Sequence, residues 1–172
     1  IMEKPSMVSE HRSVADNVRE LDEGELEDII PQIRAMSKEV NPLLDFSIEF
    51  KALFKKGLGQ CFVMDNGGIK GAAILHSYNR SGESTFCSIK TVLVERDQTD
   101  PWKTFIDLIV SCEEKAVEMG KKRVYTRISG DNPRLYRTMI GRGFRLANSN
   151  IRVIKDSDYK ESSDHHISSW AG

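Results

Sequence analysis

Some side chains in this sequence could take up a proton during catalysis. His76 stands in an apolar stretch, and an imidazole has an ordinary pKa of about 6.5, which suits a general base at neutral pH. Glu83 and Glu95 offer carboxylates for the same role. A single His on a predicted strand is also common as a structural residue. Acid–base chemistry is therefore open to this protein, and both interpretations of His76 stand.

The Cys and His residues do not predict a metal site. Cys61, Cys87 and Cys112 are far apart in apolar stretches and form no Cys-x-x-Cys pair, so we predict buried free thiols in a reducing compartment. His165 and His166 are adjacent, and two neighbouring His side chains do not make a metal site on their own. We therefore predict that these His residues lie on the surface and that the protein holds no metal.

Composition excludes several classes of function. The chain of 172 residues has 25 Lys and Arg against 26 Asp and Glu, so its net charge of -1 does not favour a nucleic-acid partner. No run of about 18 apolar residues predicts a membrane span, and residues 1–19 lack the apolar core of a signal peptide. We expect a cytoplasmic protein without a membrane partner. A cluster of basic residues near the end of the predicted domain either binds a phosphate or solvates its face: Arg134, Arg137, Arg142 and Arg145.

Helices are predicted wherever apolar residues recur at every third or fourth position. Asp100 followed by Pro101 is typical of a helix start, because Asp caps free amides and Pro suits the first helical position. Gly120 ends that helix. The predicted helices cover residues 25–40, with a kink at Pro31, and then 46–58, 101–119 and 133–142.

Strands are predicted from alternating and β-branched stretches. Asn66-Gly67-Gly68 suits the tight turn of a hairpin, because glycine adopts positive φ without strain. The helix at 101–119 suits a right-handed crossover, so we expect 92–94 and 124–128 to be parallel neighbours. The predicted strands lie within 13–21, which would be an edge strand, and at 60–65, 69–78, 84–94, 122–129 and 145–154. The domain organisation that follows is a flexible leader (1–12), one domain (13–156) and a flexible polar tail (157–172).

The order of these elements resembles that of the GNAT superfamily of acyl-CoA-dependent N-acyltransferases. The segment from Asn132 to Gly143-Phe144 carries the sharper match, since an Asn, a short helix and Gly-Phe lead into the last strand with the spacing of that family. The resemblance implies an α/β fold in which helices flank a central mixed sheet.

The resemblance also implies acetyl-CoA or another acyl-CoA as co-substrate, bound where two central parallel strands splay apart. Its pantetheine arm would bond to the backbone of Val92, Leu93 and Val94, which leaves their side chains free to vary. Asn132 either bonds pantetheine, as in the family, or caps the last helix. Both roles of Asn132 stay open.

The loop that should hold the pyrophosphate departs from the family pattern. Family members carry glycines there, whereas this chain has no glycine between Gly82 and Gly120. Asp97 and Asp100 would repel a phosphate. The residues that remain as candidates for cofactor contacts at this helix start are Thr99, Lys103 and Thr104.

Two catalytic positions of the family are also altered. Met139 stands where family members place a Tyr that protonates the departing thiolate, and Tyr136 lies one helical turn earlier, either as the substitute acid or as a packing residue. Lys90 stands where many members place a catalytic Glu. With His76, Tyr136 completes the set of catalytic candidates.

The function implied by the resemblance is the transfer of an acyl group from acyl-CoA to an amine of a small molecule or peptide. An alternative is a catalytically degenerate domain that serves as a ligand-binding or assembly module, which the loss of loop glycines favours. A second copy of the chain is a further partner that the sequence leaves open.

Overall fold

An eight-stranded mixed sheet forms the centre of the computed structural model, which describes residues 1–6, 17–77, 85–150, 159–161 and 165–168. The order across the sheet is β2-β3-β4-β5-β6-β1-β7, and β8 pairs with β5. These strands are β1 (Met2–Pro5), β2 (Val18–Glu20), β3 (Gly59–Asp65), β4 (Ile69–His76), β5 (Phe86–Val94), β6 (Arg123–Thr126), β7 (Arg145–Leu146) and β8 (Ile167–Ser168).

The helices lie where the apolar periodicity predicts them. They are α1 (Leu26–Val40), α2 (Ser47–Lys55), α3 (Pro101–Glu118) and α4 (Pro133–Gly141), so each ends within a few residues of its predicted bound. Pro31 stays inside α1, which continues through it. Within the described ranges, no helix combines the length and the apolar composition needed to cross a membrane.

Alternation along the strands sorts their side chains into two cores. Val63 and Ile74 pack with α1 and α2 on one face of the sheet, whereas Phe62 and Leu75 pack with α3 on the other face. Each helix turns its apolar stripe toward the sheet, because that burial removes both apolar surfaces from water. The predicted fold class, a mixed sheet flanked by helices, is confirmed.

The connection from β5 through α3 to β6 makes these two strands parallel neighbours, as predicted. Their pairing runs from Phe86 opposite Arg123 to Ile89 opposite Thr126. The expected register is wrong, because the strands stop pairing beyond Ile89 and residues 92–94 do not reach β6. Beyond Ile89, therefore, β5 offers a backbone edge that β6 does not cover.

The expectation of a flexible leader at 1–12 is wrong for residues 1–6. Met2 is fully buried and pairs with Thr126 of β6 on one side and Leu146 of β7 on the other. A four-residue strand is too short for periodicity to reveal it, and its partners lie near the opposite end of the sequence. Residues 7–12 lie outside the described ranges.

The expectation of a flexible tail at 157–172 is likewise wrong where the structure describes it. Ile167 is almost completely buried and pairs with Val92, while His166 is buried rather than on the surface as predicted. The segment is polar on average, so its single aliphatic anchor does not stand out in composition. Of the predicted strand at 145–154, Arg145–Leu146 is observed, and 151–154 fall outside the described residues.

Candidate functional site

A β-bulge in β5 opens the sheet at the candidate site. Thr91 lies opposite Ile74 of β4 while Ile89 lies opposite Leu75, so Lys90 is the extra residue between them. A bulge bends its strand and re-aims the side chains beside it. The Thr126 hydroxyl donates to the Ile89 carbonyl at 3.3 Å, at the last pair before β5 and β6 part.

A cavity of about 640 Å³ lies beside this opening. Its walls come from the segment that follows β6, from the start of α4, from β1 and from β8. A pocket at the carboxyl ends of parallel strands is a common place for a ligand in α/β proteins. The polar residues that line it include Arg127, Ser129, Asn132, Tyr136, Glu161 and His166.

The structure brings Asn132 and Tyr136 together on the wall of this cavity. Asn132 caps α4, since its side-chain oxygen accepts from the Leu135 amide at 2.9 Å. Tyr136 is 37% exposed, whereas Met139, one turn later, is fully buried in the core. Met139 thus packs in the core, whereas Tyr136 lines the cavity, and its role as the acid stays a prediction.

Sequence reasoning missed Glu49, which α2 carries to the bulge. The Thr91 hydroxyl, fully buried, donates to a Glu49 carboxylate oxygen at 2.6 Å. The available signal was a charge on the buried side of a predicted helix, because Phe46 and Phe50 bracket Glu49 and both are buried. The carboxylate stands at the point where β5 loses its partner and could accept a proton there.

Lys90 contributes a positive charge at the same bulge. Burial lowers the pKa of its ammonium group, the Glu49 carboxylate acts in the opposite direction, and the Arg127 charge lowers the pKa further. Lys90 and Glu49 thus place opposite charges at the opening, and Arg127, the residue after β6, adds a second positive charge that acts on Lys90.

The loop between β5 and α3 satisfies its polar groups internally. The Gln98 amide nitrogen donates to the Lys70 carbonyl at 3.0 Å, and its amide oxygen accepts from the Thr104 hydroxyl at 2.7 Å. Asp100 caps α3, since its carboxylate accepts from the Lys103 amide at 2.9 Å. Capping by Asp100 occupies an amide that a phosphate at the helix N-terminus would use.

The predicted cofactor-binding residues do not share one cavity. Thr99, Lys103 and Thr104 line a second cavity of about 510 Å³, separate from the one that holds Asn132 and Tyr136. The Lys103 ammonium group is paired with Asp107 at 2.6 Å. A phosphate bound by Lys103 or Thr104 would therefore have to replace the ion pair of Lys103 with Asp107 or the hydrogen bond of Thr104 with Gln98.

The predicted pantetheine strand, Val92 to Val94, is buried, and its edges are occupied. Leu93 and Val94 lie opposite Ala72 and Gly71 of β4, so one edge belongs to the sheet. On the other edge, Thr91 lies opposite Ser168 and Val92 opposite Ile167 of β8. At Val92, the edge that the family resemblance assigns to pantetheine is thus paired with the chain's own backbone.

His76 is the last residue of β4 and lies opposite Ser88 of β5, next to the bulge at Lys90. Burial, with a smaller contribution from the Lys90 charge, lowers the pKa of His76 to about 4. An imidazole with so low a pKa is neutral at pH 7 but is a weak base. So low a pKa disfavours His76 as the general base, and its catalytic role stays a prediction.

The buried imidazole predicts a pH dependence of stability that His76→Gln should reduce. The unfolded chain binds the His76 proton near its ordinary pKa of 6.5, whereas the folded chain resists it down to about 4. The His76 contribution to the free energy of unfolding is therefore present above pH 6.5 and is lost as the pH falls toward 4. Urea denaturation of the unmodified protein and of His76→Gln at pH 7.5 and pH 4.5 would measure this contribution. An equal loss of unfolding free energy in both proteins between these pH values would contradict the low pKa of His76.

Several of the other titratable candidates make structural contacts, and Glu83 lies outside the described residues. Cys61, Cys87 and Cys112 are buried and free, as predicted, and burial raises the pKa of Cys87 to about 11. Arg142 binds the buried Glu113 carboxylate at 2.6 Å, so it belongs to the protein interior rather than to a phosphate site. Arg134 stacks over the Trp102 ring at 4.2 Å.

Comparison with known proteins identifies the fold. No protein-family model matches the chain, and no curated protein matches it. Among solved structures, a probable acetyltransferase is similar, with 13% identity and a TM-score of 0.61 over 83% of this chain and 99% of that one. An aminoglycoside N-acetyltransferase in complex with CoA is similar at 17% identity and a TM-score of 0.58, over 85% of this chain and 98% of that one.

A ribosomal-protein-alanine N-acetyltransferase from Brucella melitensis biovar Abortus is similar at 13% identity and a TM-score of 0.58, over 80% of this chain and 98% of that one. A transcriptional regulator from Bacillus halodurans is also similar, at 21% identity and a TM-score of 0.57, over 80% of this chain and 97% of that one. These likenesses confirm the expected fold, which is that of the GNAT acetyltransferases. Because one fold carries many functions, the chemistry has to be argued from the site.

Proposed function

We propose that this protein is an N-acyltransferase that moves an acyl group from acetyl-CoA or another acyl-CoA to the amine of a small molecule or peptide in the cytoplasm. The observation that carries the proposal is the parting of β5 and β6 beyond Ile89 and Thr126, with a cavity of about 640 Å³ lined by residues that follow β6 and by β8. A strand edge can bind the amide groups of pantetheine as it would bind a peptide strand, and at Thr91 and Val92 pantetheine would take the place of β8. Solved acetyltransferases with this fold support the same reaction class.

The reaction needs two proton movements, and the site offers a group for each. The amine nitrogen attacks the thioester carbonyl carbon, the C–N bond forms, and the C–S bond breaks to release a thiolate. Glu49 takes the proton that the amine loses, since its carboxylate is held at the bulge by Thr91 at 2.6 Å. Tyr136 gives its phenolic proton to the sulfur from the cavity wall and regains one from solvent.

Acyl-CoA binding in this site depends on pantetheine more than on phosphate. Three carboxylates line the second cavity against two ammonium groups, those of Lys70 and Lys103, so negative charge is in excess at the start of α3. The Gln98 and Asp100 hydrogen bonds would compete with a pyrophosphate there. We therefore infer that acyl-CoA binds weakly and that its nucleotide end contributes little to the affinity.

One observation favours a second candidate function, a binding or assembly module without catalysis. Ile167 and Ser168 already pair with the β5 edge that acyl-CoA would use. A domain in which β8 permanently occupies this edge would keep the acyltransferase fold but could not bind acyl-CoA there or catalyse the transfer.

Calorimetric titration with acetyl-CoA and with S-acetylpantetheine separates the two functions. The enzyme should bind both ligands with dissociation constants within about tenfold of each other, because the acidic loop cancels much of the phosphate contribution. Ligand at 100 times its dissociation constant should raise the free energy of unfolding by about 2.7 kcal/mol. Absence of heat and of a melting shift with both ligands at millimolar concentration would exclude the acyltransferase.

A further inference from the structure

Strand β8 lies against β5 just beyond the point where β5 and β6 stop pairing. Thr91 lies opposite Ser168 and Val92 opposite Ile167, in antiparallel pairing. Ile167 is 1% exposed and belongs to the same core cluster as Val92. The two-residue strand thus combines backbone pairing with one fully buried aliphatic side chain.

The Glu161 carboxylate contacts two residues of the segment that leads into β8. The His166 ring nitrogen lies 2.8 Å from one Glu161 oxygen, and the Tyr159 hydroxyl donates to the other oxygen at 3.1 Å. His166 is buried, so this contact is shielded from water. One Glu side chain therefore holds residues on both sides of 162–164.

Contacts with both helical layers hold the segment across the sheet. On the α1 side, the Asn41 side-chain amide donates to the Lys160 carbonyl at 2.9 Å. On the α3 side, the His165 ring packs edge-on against Trp102 with 5.5 Å between ring centroids. Trp102 is itself covered by the Arg134 guanidinium at 4.2 Å. The segment is thus anchored at several points outside β8.

We propose that the β5 edge at Thr91 and Val92 is a peptide-strand-binding surface whose resident occupant is the chain's own strand β8, and that this occupant competes with acyl-CoA. The competition rests on the proposed acyltransferase function. One strand edge offers one set of amide and carbonyl groups, so a peptide backbone and a pantetheine arm exclude each other there. The surface selects an extended peptide with a branched aliphatic side chain at the place of Ile167.

The full-length chain with Ile167→Asp tests the proposal, because a carboxylate does not fit the apolar seat. Hydrogen exchange of the β5 amides around Thr91 and Val92 should accelerate by about tenfold or more, the scale of losing one buried Ile side chain. The affinity for acetyl-CoA should rise by a similar factor. Leu43→Asp is the matched control, since Leu43 is 86% exposed and its replacement should change neither quantity.

A peptide with the sequence of residues 159–168, added to the Ile167→Asp protein, should restore slow exchange and weaken acetyl-CoA binding. Glu161→Ala provides a second variant if Ile167→Asp does not fold, because it removes the group that holds His166 and Tyr159 while leaving the core intact. Its expected effects have the same direction.

The outcomes separate this proposal from the proposed function. Faster exchange with tighter acetyl-CoA binding supports both. Faster exchange with unchanged, measurable acetyl-CoA affinity overturns the competition and leaves the acyltransferase standing. Faster exchange with no acetyl-CoA binding in any variant overturns the acyltransferase and the competition together. Unchanged exchange in both variants shows that segment 159–168 does not occupy the edge and overturns the proposal.

Discussion

Replacing Glu49 with Gln is expected to lower kcat for acyl transfer by about 100- to 1,000-fold, the range typical of losing a general base. Gln keeps the size of the side chain and can still accept from the Thr91 hydroxyl, so the local packing at the bulge should survive. It cannot take the proton that the amine loses. Release of the CoA thiol with an amine substrate, followed against pH, measures the effect.

The pH profile distinguishes a base from a residue that only shapes the site. Loss of the base should remove the acidic limb of kcat/KM, whereas acetyl-CoA affinity should stay within about twofold. Glu27→Gln is the matched control, because Glu27 is exposed on α1 and forms an ion pair with Lys51. An unchanged kcat in the Glu49→Gln enzyme would show that Glu49 is not the general base.

Glu113→Ala is expected to lower the free energy of unfolding by about 3 kcal/mol, because it leaves two cations without their partner near the core. One Glu113 oxygen accepts from the Lys4 ammonium at 3.1 Å and from the Arg142 guanidinium at 2.6 Å. The carboxylate therefore ties β1 and the end of α4 to α3. Chemical denaturation at neutral pH gives the difference.

A surface carboxylate on the same helix supplies the control for this prediction. Glu118 pairs with Lys115 at 3.3 Å and its side chain is 67% exposed, so Glu118→Ala should cost no more than about 0.5 kcal/mol. In Glu113→Ala, the loss of protection against hydrogen exchange should be largest for the amides of β1. A destabilisation equal to that of Glu118→Ala would mean that the buried ions are no better paired than surface ones.

The helices and the long strands of this protein could be predicted because their signals are local. Apolar spacing in α1 and α3 and the Asp100-Pro101 start require only neighbouring residues to be read. The parallel arrangement of β5 and β6 followed from the handedness of a crossover through one helix, which depends on local chirality. Family resemblance then located Asn132, which lines the cavity.

The candidate site could be predicted only in part, because its decisive contacts join distant residues. Glu49 reaches Thr91 across 42 positions of sequence, and its meaning depends on a bulge that shifts the register by one residue at Lys90. Register is invisible in a single strand's pattern, since a bulge leaves composition unchanged. His76 is a candidate base by the ordinary pKa of an imidazole, but burial, which the sequence does not show, lowers the pKa of His76 to about 4.

The sequence by itself determined the element types, the fold class and the residues of α4 that resemble the acyltransferase family. Only the tertiary structure decided which strand edges meet. It placed Met2–Pro5 between β6 and β7 and Ile167–Ser168 on β5, although both segments are short and polar enough to suggest flexible ends. The physical reason is that strand pairing and burial gain their free energy from distant partners, so a few residues carry no signal until those partners have come together.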